Sequence, residues 1–213
     1  HTCAVLDNGD LKCWGANESG QLGLGDTAPR GDDPNEMGDQ LPRVNLGAGR
    51  TAVAVAAGGG HTCAVLDNFT LKCWGANFSG QLGLGDTNSR GDGPDDGVPD
   101  SMASLPSVQL GSGRSARAVT AGENHTCALL DNATVKCWGS NFSGQLGLGD
   151  TNSRGDGPDG DINDTMSALP AVVLGAGRTA TALTAGNNHT CVLLDNGAVK
   201  CWGENLEGQL GLG

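Results

Sequence analysis

Residues 1–26, HTCAVLDNGDLKCWGANESGQLGLGD, return almost unchanged from His61, His125 and His189. A chain written this way has to fold as copies of one small unit, each burying its faces against its neighbours. The composition agrees. There are 37 glycines, three phenylalanines, four tryptophans and no tyrosine, too few large side chains to fill one broad core. Many small, similar cores of Ala, Val, Leu, Cys and Trp are expected instead.

Around the second copy, four short strands are expected at Arg43–Leu46, Ala52–Ala57, Thr62–Asp67 and Leu71–Gly75. Gly58, Gly59 and Gly60 punctuate the second and third, and Asn68 with Phe69 turns between the third and fourth. Four short strands per period, separated by turn signals, suit a propeller blade or a related stacked sheet. The expected fold is all-β: tandem four-stranded β-propeller-type blades. Residues 1–213 would form one array of about three and a half repeats, the last incomplete, with a disulfide-stapled hairpin in each.

The hairpin register follows from the turn. A three-residue loop, Asp7-Asn8-Gly9, closes with Leu6 opposite Asp10, and counting back places Cys3 opposite Cys13. Antiparallel partners have a Cα separation that a disulfide can span. The pairs Cys3/Cys13, Cys63/Cys73, Cys127/Cys137 and Cys191/Cys201 share one spacing and leave no odd thiol. Such spacing is unlike that of zinc sites. Local disulfides are expected, with buried reduced thiols as the alternative. Each bridge contributes on the order of 3 kcal/mol in the chain-entropy model. Gly9 suits the left-handed residue of the loop, whereas Phe69 and Ala133 at that place suggest a different turn. Alternation puts Cys3, Val5, Leu11 and Cys13 on one face and Ala4, Leu6, Lys12 and Trp14 on the other. Both faces are apolar, so both should be covered by neighbouring sheets. Trp14, Trp74, Trp138 and Trp202 then read as core plugs, with a ligand cage as the alternative.

Paired cysteines imply an oxidising compartment. Asn-x-Ser/Thr sequons at Asn17, Asn68, Asn77, Asn124, Asn132, Asn141, Asn163 and Asn188 point the same way, toward N-linked glycans and a secreted, extracellular protein. The repeats copy several of these sites, so the excess is smaller than the raw number suggests. A formal net charge of −12 disfavours binding to nucleic acid. No apolar run is long enough to predict a membrane span. The chain opens inside a repeat without an initiator Met, which suggests a stretch processed or excised from something longer.

The string G-x-x-H-T-C-A-x-L-D-N-x-x-x-K-C-W-G-x-N-x-x-G-Q-L-G-L-G-D resembles the regulator of chromosome condensation repeat family. The likeness covers all four hairpins and the Gly-Gln-Leu-Gly turns at 20–25, 80–85, 144–149 and 208–213. It implies β-propeller blades, seven in the founding member, and the cysteines resemble a secreted branch of the family. The long acidic insert after each turn departs from the pattern. The founding member also implies guanine-nucleotide exchange on a small nuclear GTPase. That activity requires a closed propeller in a reducing nucleus, which paired cysteines and sequons argue against.

Other residues offer candidate sites. His1, His61, His125 and His189 recur before each first cysteine and read as hydrogen-bonded structural residues. No Gly-x-Ser-x-Gly motif is present and each copy repeats the same residues, so an enzyme is not expected. The loop from Asp86 begins like a calcium loop. Asp86, Asn88 and Asp92, with Asp150, Asn152 and Asp156 in the next copy, are candidate Ca²⁺ ligands. Arg90 interrupts that pattern and no Glu closes it, so a solvated acidic loop is the alternative. Asp159 and Asp161 lie further along the second loop, and the first copy has Ala28 in place of Asn. Arg-Gly-Asp occurs at 30–32, 90–92 and 154–156, either as an adhesion tripeptide or as a repeated local Arg–Asp contact.

These features lead to the expectation of a non-catalytic extracellular structural glycoprotein. It would self-associate, its uncapped repeats forming a filament or surface coat. The alternative is a binding or adhesion module, a closed propeller in a longer parent that recognises protein or glycan through its acidic loops.

Overall fold

The hairpin is the unit from which everything else is assembled. In a computed structural model describing residues 1–93, 101–157 and 165–212, β1 (Thr2–Val5) pairs with β2 (Leu11–Trp14). The register is the one counted from the turn: Cys3 faces Cys13, and the Leu6 N–H donates to the Asp10 carbonyl at 2.8 Å. Three-stranded sheets follow. The first holds β3 (Ala52–Ala57), β4 (His61–Leu66) and β5 (Leu71–Gly75). The second holds β6 (Ala116–Ala121), β7 (His125–Leu130) and β8 (Val135–Gly139). The third holds β9 (Ala180–Ala185), β10 (His189–Leu194) and β11 (Val199–Gly203). All pairings are antiparallel, and a disulfide joins the two cysteines of every hairpin.

The expected strand at Arg43–Leu46 does not form. Its place at the outer edge is taken by two separate contacts. Gly15 and Arg30 exchange backbone hydrogen bonds, and the Val44 N–H donates to the Leu11 carbonyl at 2.8 Å. Gly75 with Arg90 and Val108 with Leu71 repeat this, as do Gly139 with Arg154 and Val172 with Val135. The outer edges formed by β2, β5 and β8 are therefore each capped in two places. The long insert between the caps departs from the sheet and returns, so no continuous ladder can form. Capping of this kind removes donors and acceptors that an open edge would offer to other chains.

The turn chemistry also differs from expectation. Phe69 and Ala133 do not turn differently: both sit at φ 62°, in the left-handed region that Gly9 occupies at φ 79°. The turn is fixed by bonds on both sides. The Phe69 N–H donates to the Leu66 carbonyl at 2.8 Å, and the Phe69 carbonyl accepts from Ala116 of the next blade at 3.0 Å. Tertiary contacts thus hold a backbone conformation that a side chain disfavours.

Alternation assigns the faces correctly. One core contains Leu11 and Cys13 of the first hairpin against Ala64, Leu66 and Trp74 of the next blade. The same pairing recurs with Val65, Leu71 and Cys73 against Ala128, Leu130 and Trp138. It appears again with Leu129, Val135 and Cys137 against Val192 and Leu194. The cystine face of one blade thus packs on the tryptophan face of the next, and Trp74, Trp138 and Trp202 each belong to a separate interface. Trp74 and Trp138 are fully buried, which removes the ligand-cage alternative. The inner strands each carry a register shift, between Ala52 and Ala54 and between Ala116 and Ala118. That bulge re-aims the extra residue, which is why Val53 is exposed on a strand otherwise made to be covered.

Candidate functional site

Blade contacts meet at one oxygen. The Gln21 carbonyl accepts from the Thr62 hydroxyl at 2.8 Å and from the Trp74 indole N–H at 3.0 Å, both in the following blade. Gln81 does the same for Thr126 and Trp138, and Gln145 for Thr190 and Trp202. Because Thr62 gives its proton to Gln21, its oxygen is left to accept from His1 Nε2, 2.8 Å away. His61 bonds Thr126 and His125 bonds Thr190 in the same way, each at 2.9 Å. The repeated histidines are structural, as expected, and they face the next blade. Burial holds His61 down to about 3 and His125 to about 4, with the neighbouring histidine as a second cause in each case.

The acidic loops carry a different arrangement from a metal cradle. Asp86 Oδ2 pairs with Arg90 Nη2 at 2.7 Å, and its Oδ1 accepts from the Asn88 backbone N–H at 2.9 Å. Asp150 pairs with Arg154 at 2.8 Å and Asp26 with Arg30 at 2.6 Å. Arg90 also donates to the Asn88 and Ser89 carbonyls. Among the described residues no group of three or more His, Cys, Asp or Glu side chains gathers for a metal. Of the residues expected to hold calcium, Asp86, Asn88, Asp92, Asp150, Asn152 and Asp156, the leading carboxylates Asp86 and Asp150 are instead engaged by arginine. Arg90 and Arg154 already neutralise the leading carboxylates, and a cation would have to displace them. Asp159 and Asp161 lie outside the described residues.

The same ion pairs decide the Arg-Gly-Asp question. Arg90 and Arg154 are buried, so neither copy can present its guanidinium to a receptor. Arg30 of the first copy is partly exposed, whereas at 90–92 and 154–156 the tripeptide is a structural contact repeated by duplication. It also joins blades: the Gly91 carbonyl accepts from the Gly25 N–H at 3.2 Å, and Gly155 accepts from Gly85 at 3.1 Å. A side chain at Gly80 would overlap the Asp156 backbone, so glycine is obligatory where these loops cross.

Among the described residues the sequons fall into three kinds. Asn17, Asn77 and Asn141 are buried. The Asn77 side-chain amide donates to the Asp86 carbonyl at 2.8 Å and to Asp86 Oδ1 at 3.2 Å, while its oxygen accepts from the Leu82 N–H at 2.9 Å. A glycan on that nitrogen would replace these bonds, so the expectation of glycans at Asn17, Asn77 and Asn141 is corrected: these asparagines lock the Gly-Gln-Leu-Gly turn. Asn68 and Asn132 are exposed on hairpin turns. Each accepts its own sequon hydroxyl, from Thr70 and Thr134, at 2.7 Å. Asn124 and Asn188 are half-buried beside the Gln81 and Glu204 side chains. Asn163 lies outside the described residues.

Two features escape a reading by periodicity. Lys72, one of the lysines that precede each second cysteine, is buried and donates to the carbonyls of Leu46 (3.0 Å) and Met102 (3.3 Å), clasping the preceding and following inserts to the blade. Burial pushes its ammonium below the usual lysine range. The second feature is a rim of exposed apolar residues. Phe78 is 75% exposed and Phe142 is 79% exposed, at matching positions in successive blades where the last copy has Leu206. All three phenylalanines of the chain, Phe69 included, are exposed. Their scarcity was the available signal: a residue used three times, always in a turn, is not filling a core.

Comparison with known proteins matches the geometry. The regulator of chromosome condensation (RCC1) repeat is found over residues 8–65, 73–129 and 134–193, and in a second frame over 52–81, 116–145 and 180–209. The ultraviolet-B receptor UVR8 of Arabidopsis thaliana is 31% identical over 215 residues, covering 100% of this chain and 41% of that protein. The probable E3 ubiquitin-protein ligase HERC6 of Homo sapiens is 31% identical over 211 residues, covering 99% and 18%. Yeast RCC1 (Prp20), solved bound to Kap60, superposes with a TM-score of 0.69 at 20% identity, over 99% of this chain and 43% of that one. Human WBSCR16 superposes with a TM-score of 0.61 at 21% identity, over 94% and 49%. This chain spans less than half the length of each of these relatives. Blade for blade and motif for motif, it belongs to the regulator of chromosome condensation (RCC1) repeat family.

Proposed function

We propose that this chain is a non-catalytic arc of propeller blades, stapled by disulfides for an oxidising, extracellular setting, that recognises a partner protein across its rim. The observation that carries this reading is the exposure of Phe78 and Phe142. Each stands on a turn made rigid from both sides. The Gly80 N–H donates to the Asn77 carbonyl at 3.0 Å, and the Ser79 N–H donates to Gln81 Oε1 at 2.9 Å. Aromatic groups held this way bury a large area at small conformational cost when a partner arrives. One disulfide per blade supports the oxidising setting, and the exposed sequons at Asn68 and Asn132 support N-linked glycans there.

A second proposal is the filament or surface coat. It is favoured by the His–Thr–Gln contact, which repeats unchanged from blade to blade and can extend through any number of blades. Electron microscopy of material from the natural source separates the two. Discrete particles of propeller size are the expected result. Regular fibres with an axial repeat of this chain's length would overturn the recognition reading in favour of the coat.

A further inference from the structure

Hydrogen-bond polarity fixes the tautomer of each interface histidine. Thr126 donates its only hydroxyl proton to the Gln81 carbonyl at 2.8 Å, so the 2.9 Å contact with His61 must carry a proton on Nε2 of the imidazole. His61 Nδ1 is then a bare lone pair, and it is buried without a partner. Gly58 packs closely against it. A single carbon built on Gly58 would lie 2.7 Å from that nitrogen. His125 repeats the arrangement, with Thr190 donating to Gln145 and its own Nδ1 unpartnered.

The neutral ring therefore fits its interface and the charged ring does not. Protonation of His61 adds an N–H at Nδ1, a position with no hydrogen-bond partner, in a seam lined by Cys63, Ala128 and Trp138. The titratable group facing His61 across the seam is His125, whose charge would repel it. On the side of the preceding blade, His1 reaches Thr62 beside it. Glu123 stands exposed against Gly59 and makes no bond to the ring. For His125, the facing group is His189, and the Asn187 carbonyl offers partial relief.

We propose that these histidines are acid-release catches: neutral imidazole closes each blade interface, and protonation, placing a charged ring in a buried apolar seam, opens it. This is independent of what the rim binds. Both rings lie below the ordinary value of 6.5, His61 at about 3 and His125 at about 4. The unfolded or opened chain thus binds protons more readily than the closed one. The stabilisation is complete above 6.5 and is lost as pH falls toward the folded values. Both interfaces weaken together as pH falls to about 4, and below that the one sealed by His61 goes on weakening.

The test compares the chain with the double variant His61→Gln, His125→Gln, in which an amide N–H donates to the threonine and carries no titrating group. Tryptophan fluorescence and near-ultraviolet circular dichroism are followed from neutral pH to about pH 2. The expected result is an opening midpoint lower by about one pH unit in the variant. Coincident midpoints would overturn the proposal. Should the double variant fail to fold, the imidazole resonances of the unaltered chain decide. Rings that stay neutral until the fold opens support the catch. A His61 ring that titrates near its ordinary value with the fold intact overturns it.

Discussion

The Trp74 indole N–H and the Thr62 hydroxyl converge on a single acceptor, the Gln21 carbonyl of the preceding blade. An interface otherwise built from non-directional apolar packing gains a fixed register from that shared oxygen. Trp74→Phe keeps most of the apolar volume and removes one donor. It should cost about 1 to 2 kcal/mol, read as a lower midpoint in urea unfolding. Trp74→Ala, which also opens a cavity, should cost about 3 to 5 kcal/mol. Equal effects from both variants would show that packing alone sets the interface.

Phe69 and Ala133 occupy a left-handed backbone that glycine adopts without strain. Phe69→Gly and Ala133→Gly should each raise stability by up to about 1 kcal/mol, seen as a higher thermal midpoint. The first copy already has Gly9 at this place, so Gly9→Ala should lower the midpoint by a similar amount.

Asn68 and Asn77 belong to the same sequon type and should behave in opposite ways. Asn68→Gln changes an exposed turn and should alter stability by less than about 0.5 kcal/mol. Asn77→Gln breaks three buried hydrogen bonds and should cost about 2 kcal/mol or more. Glycopeptide mapping of secreted material should find sugar on Asn68 and Asn132 and none on Asn77 or Asn141. A glycan on Asn77 of folded protein would refute the structural role.

Reduction of the four disulfides should lower stability sharply, since each short loop contributes about 3 kcal/mol. Peptide mapping without reductant should recover only the local pairs, Cys3 with Cys13 and its three counterparts. A bridge between blades would contradict the hairpin register.

Arg90→Gln leaves the partly exposed Asp86 carboxylate without its buried cationic partner. A loss of about 1 to 3 kcal/mol is expected, with no effect of a soluble Arg-Gly-Asp peptide on any cell attachment to the intact chain. Competition by that peptide would show that the tripeptide is reachable after all.

Much of this architecture could be read from residue order because the relevant physics is local. Two cysteines around a short turn can face each other in only one register, and alternation then settles which of Val5, Leu6, Leu11 and Lys12 share a face. Copying the unit fixes that a cystine face must meet a tryptophan face. The outer edge was harder. Whether Arg43–Leu46 continues a ladder depends on where the insert returns, and the return is set by Val44 meeting Leu11 and by Lys12 reaching Gly38. Phe69 shows the limit of turn propensity, since the bond from Ala116 in another blade holds it where local preference would not.

By itself the sequence determined the repeating hairpin, its cysteine pairing and the stacking of unlike faces, because each follows from covalent spacing and the two-residue period of a strand. Tertiary structure alone decided the fate of residues that look identical in sequence. Asn77 is buried while Asn68 is free, and Arg90 is closed in its loop rather than offered to solvent. The reason is that accessibility depends on what the next blade and the returning insert cover, which a short motif does not contain.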